Sequence, residues 1–583
     1  MNTKLLTLSL ISCALAACSG GSDGGSSKPG IKVNGISGIN YQIGERSGVV
    51  TDGQAIPYSA GEQISFKLGE LTLATVTAKD SITLADFFPA LPTTAAEFRT
   101  QLRMGYDQSE KLLSLPNGLK EYSYGATPVL HRTSNLMQLL LAMDNDRNPD
   151  NGLDLASGNW ASKLSGFNED TLPLNIDLRE FAKHYRTRAF SQVQTLLLAM
   201  DISAPLSTLY QVAGITIAAK AVTGYTQPNV TPGTVGEFVF NDNMQLESEK
   251  KITSNTVTTS YTYDSNGNIT REFIETDSGN NGSIDSSREY SRTYSDYGAS
   301  LTYDRKDRDL NGDLTRHDRT ESVALDNKRQ VARSVSTNQL DNTANYDVYL
   351  YEFNSDGLQT QQNYEEYDSS DTLLRELNQR NYSYADGKLS QAVSNSYSGS
   401  SFSSSTTQSY TYGDNTITVE GVYRNASNEV LGESYRYVEN FSAGRLTKAD
   451  YTMFSGDIGS TVNETKTIQY AYDDQGRLTS CTWYENDNPA PYQRNRFEYG
   501  PYGMTKKVLQ ETYNLENQSF QSGSEKAFTY GDSGELLTEP TNNNSFSYSS
   551  ENVVNGVAYL IHEMKLLDQK SNRKNDSCYF FWF

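Results

Sequence analysis

Tyr470-Ala471-Tyr472-Asp473-Asp474-Gln475-Gly476-Arg477-Leu478 is the stretch whose reading decides the fold. It joins an aromatic-x-aromatic pair to a polar, glycine-containing turn and then to a new apolar residue. The same arrangement returns at Tyr261-Thr262-Tyr263-Asp264-Ser265-Asn266-Gly267. It recurs at Tyr351/Phe353, Tyr382/Tyr384, Tyr410/Tyr412, Tyr435/Tyr437, Phe497/Tyr499, Phe528/Tyr530 and Phe546/Tyr548. The spacing, roughly 25 to 35 residues, is that of an array of supersecondary units. Residues two apart on a strand share a face, so each pair puts two aromatic rings on one side of a sheet.

A second polar cluster falls near the midpoint between successive aromatic turns. Examples are Asn280-Asn281-Gly282, Asn311-Gly312, Asp341-Asn342, Ser369-Ser370-Asp371, Asn425 to Asn428, Gly456-Asp457 and Asn486-Asp487-Asn488. A turn about every 15 residues leaves strands of roughly 8 to 11 residues, about 30 Å long. The expected body is therefore a continuous antiparallel meander whose tyrosines stack as cross-strand ladders. In one interior copy Val323 and Leu325 occupy the aromatic slots, which reads as a demand for apolar bulk rather than for a phenol.

Several turns, including Tyr472 to Leu478, Tyr263 to Ile269 and Phe353-Asn354-Ser355-Asp356-Gly357-Leu358, resemble YD repeats of the RHS type. The resemblance covers about half of the chain. It implies a long curled sheet of hairpins. The units here are longer than that family's usual repeat, and no toxin segment follows them.

Composition agrees with a β-rich extracytoplasmic protein. Of 583 residues 39 are Tyr, against 15 Pro and 3 Trp, and the hydrophobic share is 36%. Tyrosine suits a half-buried strand, because its ring covers apolar surface while its hydroxyl reaches a polar partner. A formal net charge of −22 argues against nucleic acid as a partner, since phosphate binding needs a basic surface.

The N-terminus carries an address. Lys4 precedes the apolar run Leu5 to Leu15, too short for a membrane-spanning helix, and Leu15-Ala16-Ala17-Cys18 follows. This resembles a bacterial lipobox, which implies lipidation of Cys18 and a membrane partner through that lipid. Ser19 after it implies sorting to the outer membrane, without deciding which face. Residues 19–30 read as a flexible Gly/Ser tether. A small β module is expected over 31–84, where apolar and polar residues alternate between glycine turns. A helical segment follows over 85–222, with helices from Leu136 to Met143, from Asp177 to Tyr185 and within Ala204 to Ala221. Residues 223–240 read as a linker, 241–550 as the hairpin array, and 551–583 as a cap. The aromatic end of the cap is expected to cover the last hairpin edge, which an open array would expose. The fold class is thus mainly β: a small N-terminal β module, a short α-helical segment and a C-terminal array of antiparallel hairpins.

Candidate sites are few. Asp307, Asp309, Asn311, Asp313 and Asp318 fall at the oxygen positions of a calcium loop, with Gly312 at its sixth place. Asp277, Asn281 and Asp285 form a poorer version one unit earlier, and Asp144, Asp146 and Asn148 a third after the leucine helix. Each is also explained as an Asx-rich turn, since Asn and Asp serve hairpin tips and helix ends. Cys481 and Cys578 form either one disulfide or two buried thiols. The four histidines, His131, His184, His317 and His562, are isolated from one another. No HExxH or P-loop occurs. The expected role is a non-enzymatic surface binding or adhesion scaffold for an unknown protein or glycan. A periplasm-facing structural or carrier lipoprotein, or a carbohydrate-active enzyme, are the other readings.

Overall fold

The computed structural model describes residues 30–583 apart from 52–54, 60, 89, 108–111, 115–119, 123–128, 146–151, 159, 161–173, 176–180, 182–202, 228–232, 265–266, 295–299, 327–328, 338–345, 355–358, 369, 371, 386–387, 399–400, 443–444, 475–476, 501–503, 541–542, 571–577 and 579–583. The expected leader with Cys18, the expected tether up to residue 29 and most of the expected helix from Asp177 to Tyr185 lie outside these residues. The fold is mainly β, with a small N-terminal module and a large antiparallel array.

The N-terminal strands follow their alternation. In Gln63–Leu68 the residues Ile64, Phe66 and Leu68 point inward and are wholly buried. That strand pairs with Asn40–Ile43 and Leu71–Thr77 in a four-stranded sheet. Three helices pack on the module: α1, Ala95–Asp107; α2, Val129–Met143; and α3, Ser203–Val212. Their apolar faces (Phe98 and Leu102, Leu136 and Leu140, Leu206 and Leu209) join the same core as Ile31, Ile64 and Phe66. A short strand after α2, Leu153–Asp154, pairs in parallel with Ile36–Ser37. The β module and the helical segment therefore share one core.

The expected linker is a correction. Lys220–Gln227 and Thr234–Phe240 are the first two strands of the array, whereas α3, ending at Val212, falls in the span expected for a helix. Phe238 and Phe240, two apart and so on one face, are a strand signal that the flanking prolines obscured. The array runs from Lys220 to Asn552 and closes on itself as a barrel of 25 strands among the described residues. Its first strand pairs antiparallel with its last, Asn544–Asn552, through Tyr225 opposite Phe546 and Thr226 opposite Ser545. Closure removes the exposed edge, so the cap has no edge to cover.

Most aromatic-turn hairpins carry a bulge on the return strand opposite the second aromatic, as at Thr270 and Thr479, whereas the Tyr410/Tyr412 hairpin pairs without one. The register slips between Thr262 and Tyr263, Thr293 and Tyr294, Asn440 and Phe441, Ala471 and Tyr472, Glu498 and Tyr499, and Thr529 and Tyr530. A bulge bends the strand and re-aims the side chain beyond it. Here the bulge bends the return strand, while the aromatic strand alternates without a break, so the second ring shares the inner face with the first and its phenol reaches the preceding unit. Tyr263, Tyr294, Tyr412, Tyr472, Tyr499, Tyr530 and Tyr548 donate their hydroxyls to the carbonyls of Leu246, Ile269, Leu389, Leu446, Leu478, Thr505 and Leu536. The distances run from 2.6 Å for Tyr472 to 3.2 Å for Tyr548. Each acceptor begins, or nearly begins, the strand that follows the previous aromatic turn. The slot thus uses a phenol where one is present, contrary to the expectation that only bulk matters. Tyr437 is not in this slot: before the Gly444 turn it is filled by Phe441, which has no hydroxyl to give.

Directly after the barrel comes α4, Gly556–Lys570. Asn555 caps it, accepting the Ala558 N–H at 3.2 Å. Gly556 allows the close start, since a Cβ there would lie 2.1 Å from the Ile217 carbonyl oxygen. The helix is buried from Val557 to Met564. Tyr559, Leu560 and Ile561 belong to the N-terminal core, whereas Leu566 and Leu567 belong to the barrel core with Ile468, Trp483 and Phe497. Cys578 lies in that second core bonded to Cys481, with Cα atoms 5.9 Å apart, and its carbonyl accepts the Tyr470 hydroxyl at 3.0 Å.

Two measurements test this account. Tyr472→Phe, which removes one hydroxyl and keeps the ring, is expected to cost about 1 kcal/mol in urea denaturation; an unchanged midpoint would assign the slot to bulk alone. Cys481→Ser is expected to cost about 2–5 kcal/mol, because the bridge closes a loop of 97 residues. A loss well under about 1 kcal/mol would mean that packing alone pins the tail.

Candidate functional site

Strand register carries the tyrosine face around the barrel. Tyr290 opposes Arg305, Arg292 opposes Tyr303, Gln362 opposes Arg380, Tyr364 opposes Asn378, and Tyr470 opposes Cys481. Leu566, Leu567 and Cys578 pack on this face together with side chains from both ends of the array, such as Phe238 and Phe497. The tyrosine face is therefore the inner wall. The opposite face is polar along its middle. It bears the ion pairs Arg271–Glu289, Arg436–Glu420, Lys448–Asp450, Arg494–Glu511 and Lys507–Glu525.

The inner wall has two unlike halves. From Leu446 to Phe546, and at Val222 to Phe238, its hydrophobic residues are buried under one another and under α4. Between Leu246 and Asn425, Leu389 is the one fully buried hydrophobic among the described residues. The rings there stand half-buried. The stripe is thus a packed face in the first stretch and a half-buried one in the second.

Charges interleave with the uncovered rings. Tyr290 and Tyr303 stack with centroids 5.6 Å apart, and the Arg292 guanidinium lies 5.3 Å from the Tyr303 centroid. Arg292 also pairs with Glu272 at 3.3 Å. Farther along, Gln362, Tyr364, Asn378 and Arg380 line a shallow recess. Arginines on this wall were not singled out in the sequence, because only the register tells which face of a polar strand is inside. Burial raises the Tyr294 hydroxyl above the usual phenol range, and burial with neighbouring Tyr410 does the same to Tyr412. These phenols therefore remain protonated donors.

The candidate calcium residues fall at hairpin turns and a helix end. Asp307 is the penultimate residue of the strand Ser300–Arg308 and receives Arg288 and Arg305, each at 2.7 Å. Burial alone would raise its carboxyl, but the hydrogen bonds from Arg305 and Arg288 outweigh that and hold it below the usual carboxylate range. Asp309 accepts the backbone N–H groups of Asn311 and Asp313 at 2.9 and 3.0 Å. Asp318 pairs with Arg316 at 2.6 Å. Asp277 accepts the N–H groups of Asn281 and Gly282, Asn281 accepts that of Ser283, and Asp285 accepts that of Ser278. Asp144 accepts the N–H of Asp154 at 2.7 Å. Asp146 and Asn148 lie outside the described residues. No group of three or more His, Cys, Asp or Glu is placed to hold a metal ion among the described residues.

The turn Asp309–Asp313 is one case of a loop used throughout. Asn241, Asp264, Asp368, Asn425 and Asp473 each receive the N–H four residues on through their side-chain oxygen. The fourth loop residue takes a left-handed conformation, with φ of 82° at Gly312, 80° at Gly267 and 65° at Asn428. Asp-x-Asn-Gly-Asp is the residue pattern such a hairpin loop selects, and it overlaps the first half of a calcium loop.

No protein-family model matches the chain, and no curated protein is similar to it. Among solved structures, a porin-like protein from Bacteroides vulgatus aligns at 10% identity over 45% of this chain and 94% of its own, with a TM-score of 0.18. A porin-like protein from Bacteroides uniformis aligns at 11% identity over 56% and 96%, TM-score 0.18. A Bacteroides fragilis protein of unknown function aligns at 11% over 25% and 89%, TM-score 0.13. Matches at these TM-scores carry no argument about this chain. No helix among the described residues is long and apolar enough to cross a membrane.

With its carboxylates so engaged, the repeat array is expected to show the same melting temperature with and without millimolar calcium. A rise of about 2 °C or more that Asp307→Ala abolishes would instead place an ion at this turn.

Proposed function

We propose that this protein is a non-enzymatic binding scaffold of the bacterial outer membrane, held by a lipid on Cys18, with its ligand taken on the inner wall of the barrel. The carrying observation is the uncovered half of that wall. There, stacked tyrosines and ion-paired arginines face inward without the core that covers the other half. Ligand sites combine aromatic surface with a few placed polar groups, and this wall offers both over many strands.

The outward face supports a barrel standing in water. Lysine or arginine facing lipid at the bilayer midplane costs about 2–4 kcal/mol each, and this face carries several at mid-strand. Such a body needs a separate anchor, for which the lipobox resemblance supplies Cys18. The RHS-type resemblance of the turns fits the same picture of a curled hairpin shell, used here for binding.

The test joins topology to ligand. Protease added to intact cells is expected to digest the barrel, Cys18→Ala to release the chain from the membrane fraction, and the leaderless body to bind members of a glycan and matrix-protein array. Full protection on cells would move the reading to a periplasm-facing carrier. No binder on the array would remove the scaffold reading.

A further inference from the structure

We infer that the inner-wall recess over the strands Gln359–Tyr367 and Leu373–Ala385 binds a carboxylate-bearing saccharide, with Arg380 holding the carboxylate and Tyr364 the sugar face. This deepens the scaffold reading and rests on it.

Arg380 is the distinguishing feature. On the same wall Arg288, Arg292, Arg305 and Arg316 each hold a carboxylate, from Asp307, Glu272, Asp307 and Asp318. Arg380 is exposed and, among the described residues, has no ion pair. In a chain of net charge −22 a guanidinium with no ion pair among the described residues is available to a carboxylate that arrives. Its planar fork matches a carboxylate through two parallel hydrogen bonds.

Its neighbours fit the rest of an acidic sugar. Gln362 stands directly opposite Arg380, and Asn378 opposite Tyr364. Amide side chains both donate and accept, which suits sugar hydroxyls. Tyr364 contributes an aromatic face beside them, suited to the apolar side of a pyranose ring. On the far side the wall drops to small hydroxyls: Ser394 and Ser396 oppose Arg380 and Asn378, and Thr406 and Ser404 oppose those in turn. Aromatics return at Tyr423, opposite Thr406, whose hydroxyl donates to Ser404 at 3.0 Å. A gap of small residues between rings four strands apart is about 19 Å wide at the usual strand spacing, room for an oligosaccharide rather than a single unit.

The site lies away from the filled part of the barrel. Cys578 and the end of α4 pack against strands near the seam, such as Val462–Tyr472 and Leu478–Glu485. The recess falls midway round the ring, where, among the described residues, the rings stand half-buried rather than in a core.

Isothermal titration of the leaderless chain, residues 19–583, with galacturonate trisaccharide, a neutral galactose trisaccharide and glutarate tests the assignment. The acidic trisaccharide is expected to bind at least about 10-fold more tightly than either of the others. Arg380→Ala is expected to lose about 10-fold or more of that affinity, Arg380→Lys to lose less, and Tyr364→Ala to weaken both sugars, with melting temperatures checked for each variant. Equal binding of the neutral sugar, or wild-type affinity in Arg380→Ala, would overturn the proposal. So would the absence of heat for the acidic sugar up to about 10 mM. If that happens while the array still yields a ligand, the scaffold reading stands and this assignment falls; if the array is also blank, the scaffold reading falls.

Discussion

The phenol that reaches back to the preceding hairpin is the contact on which the barrel's regularity depends. A hairpin array is held laterally by backbone ladders, which by themselves leave register weakly specified where both faces are polar. Here the second aromatic lies on the inner face two residues after the first, and its hydroxyl closes on the first carbonyls of the preceding return strand, as in Tyr472 to Leu446. A slip of one residue would turn that ring to the outer face and lose the bond. The device sets register and spacing together, and it repeats from Tyr263 to Tyr548.

Closure then follows from pairing the first strand with the last, and α4 lies at that seam. Its buried face is shared between two cores, and one ionic cluster crosses the boundary. Arg99 of α1 is 1% exposed and forms a two-point contact with Glu563 at 2.7 and 2.9 Å, while donating to the Ser533 carbonyl on a barrel turn at 2.7 Å. Burial by itself would lower the Arg99 pKa, but the Glu563 carboxylate more than offsets it and keeps the guanidinium charged. Tyr559 donates to Glu563 and accepts the Val222 N–H from the first barrel strand. A buried charge left without its partner is costly, so this cluster specifies how module, helix and barrel meet. The same helix fills one part of the inner wall and leaves the remainder uncovered.

The candidate calcium loop illustrates how local pattern and tertiary placement diverge. Asp309 and Asp313 occupy the places that a five-residue hairpin loop requires, and the turn's own N–H groups take the Asp309 oxygen. Asp307 and Asp318 belong to the strands, where cross-strand arginines meet them. The sequence motif was legible, whereas the partners came from neighbouring strands whose register no local pattern states.

By itself the sequence determined the antiparallel hairpin array, its two alternating turns and the aromatic face, because strand periodicity and turn chemistry are local. It also marked Cys481 and Cys578 as the two cysteines beyond the N-terminal region. Tertiary structure decided what depends on distant residues: that Lys220–Gln227 is a strand, since its partner lies at Asn544–Asn552; that the array is a ring and has no edge; and which arginines face inward. It also decided that Arg380 stands apart from every carboxylate described. Those outcomes rest on which strands become neighbours, and that is fixed by closure of the whole ring rather than by any one repeat.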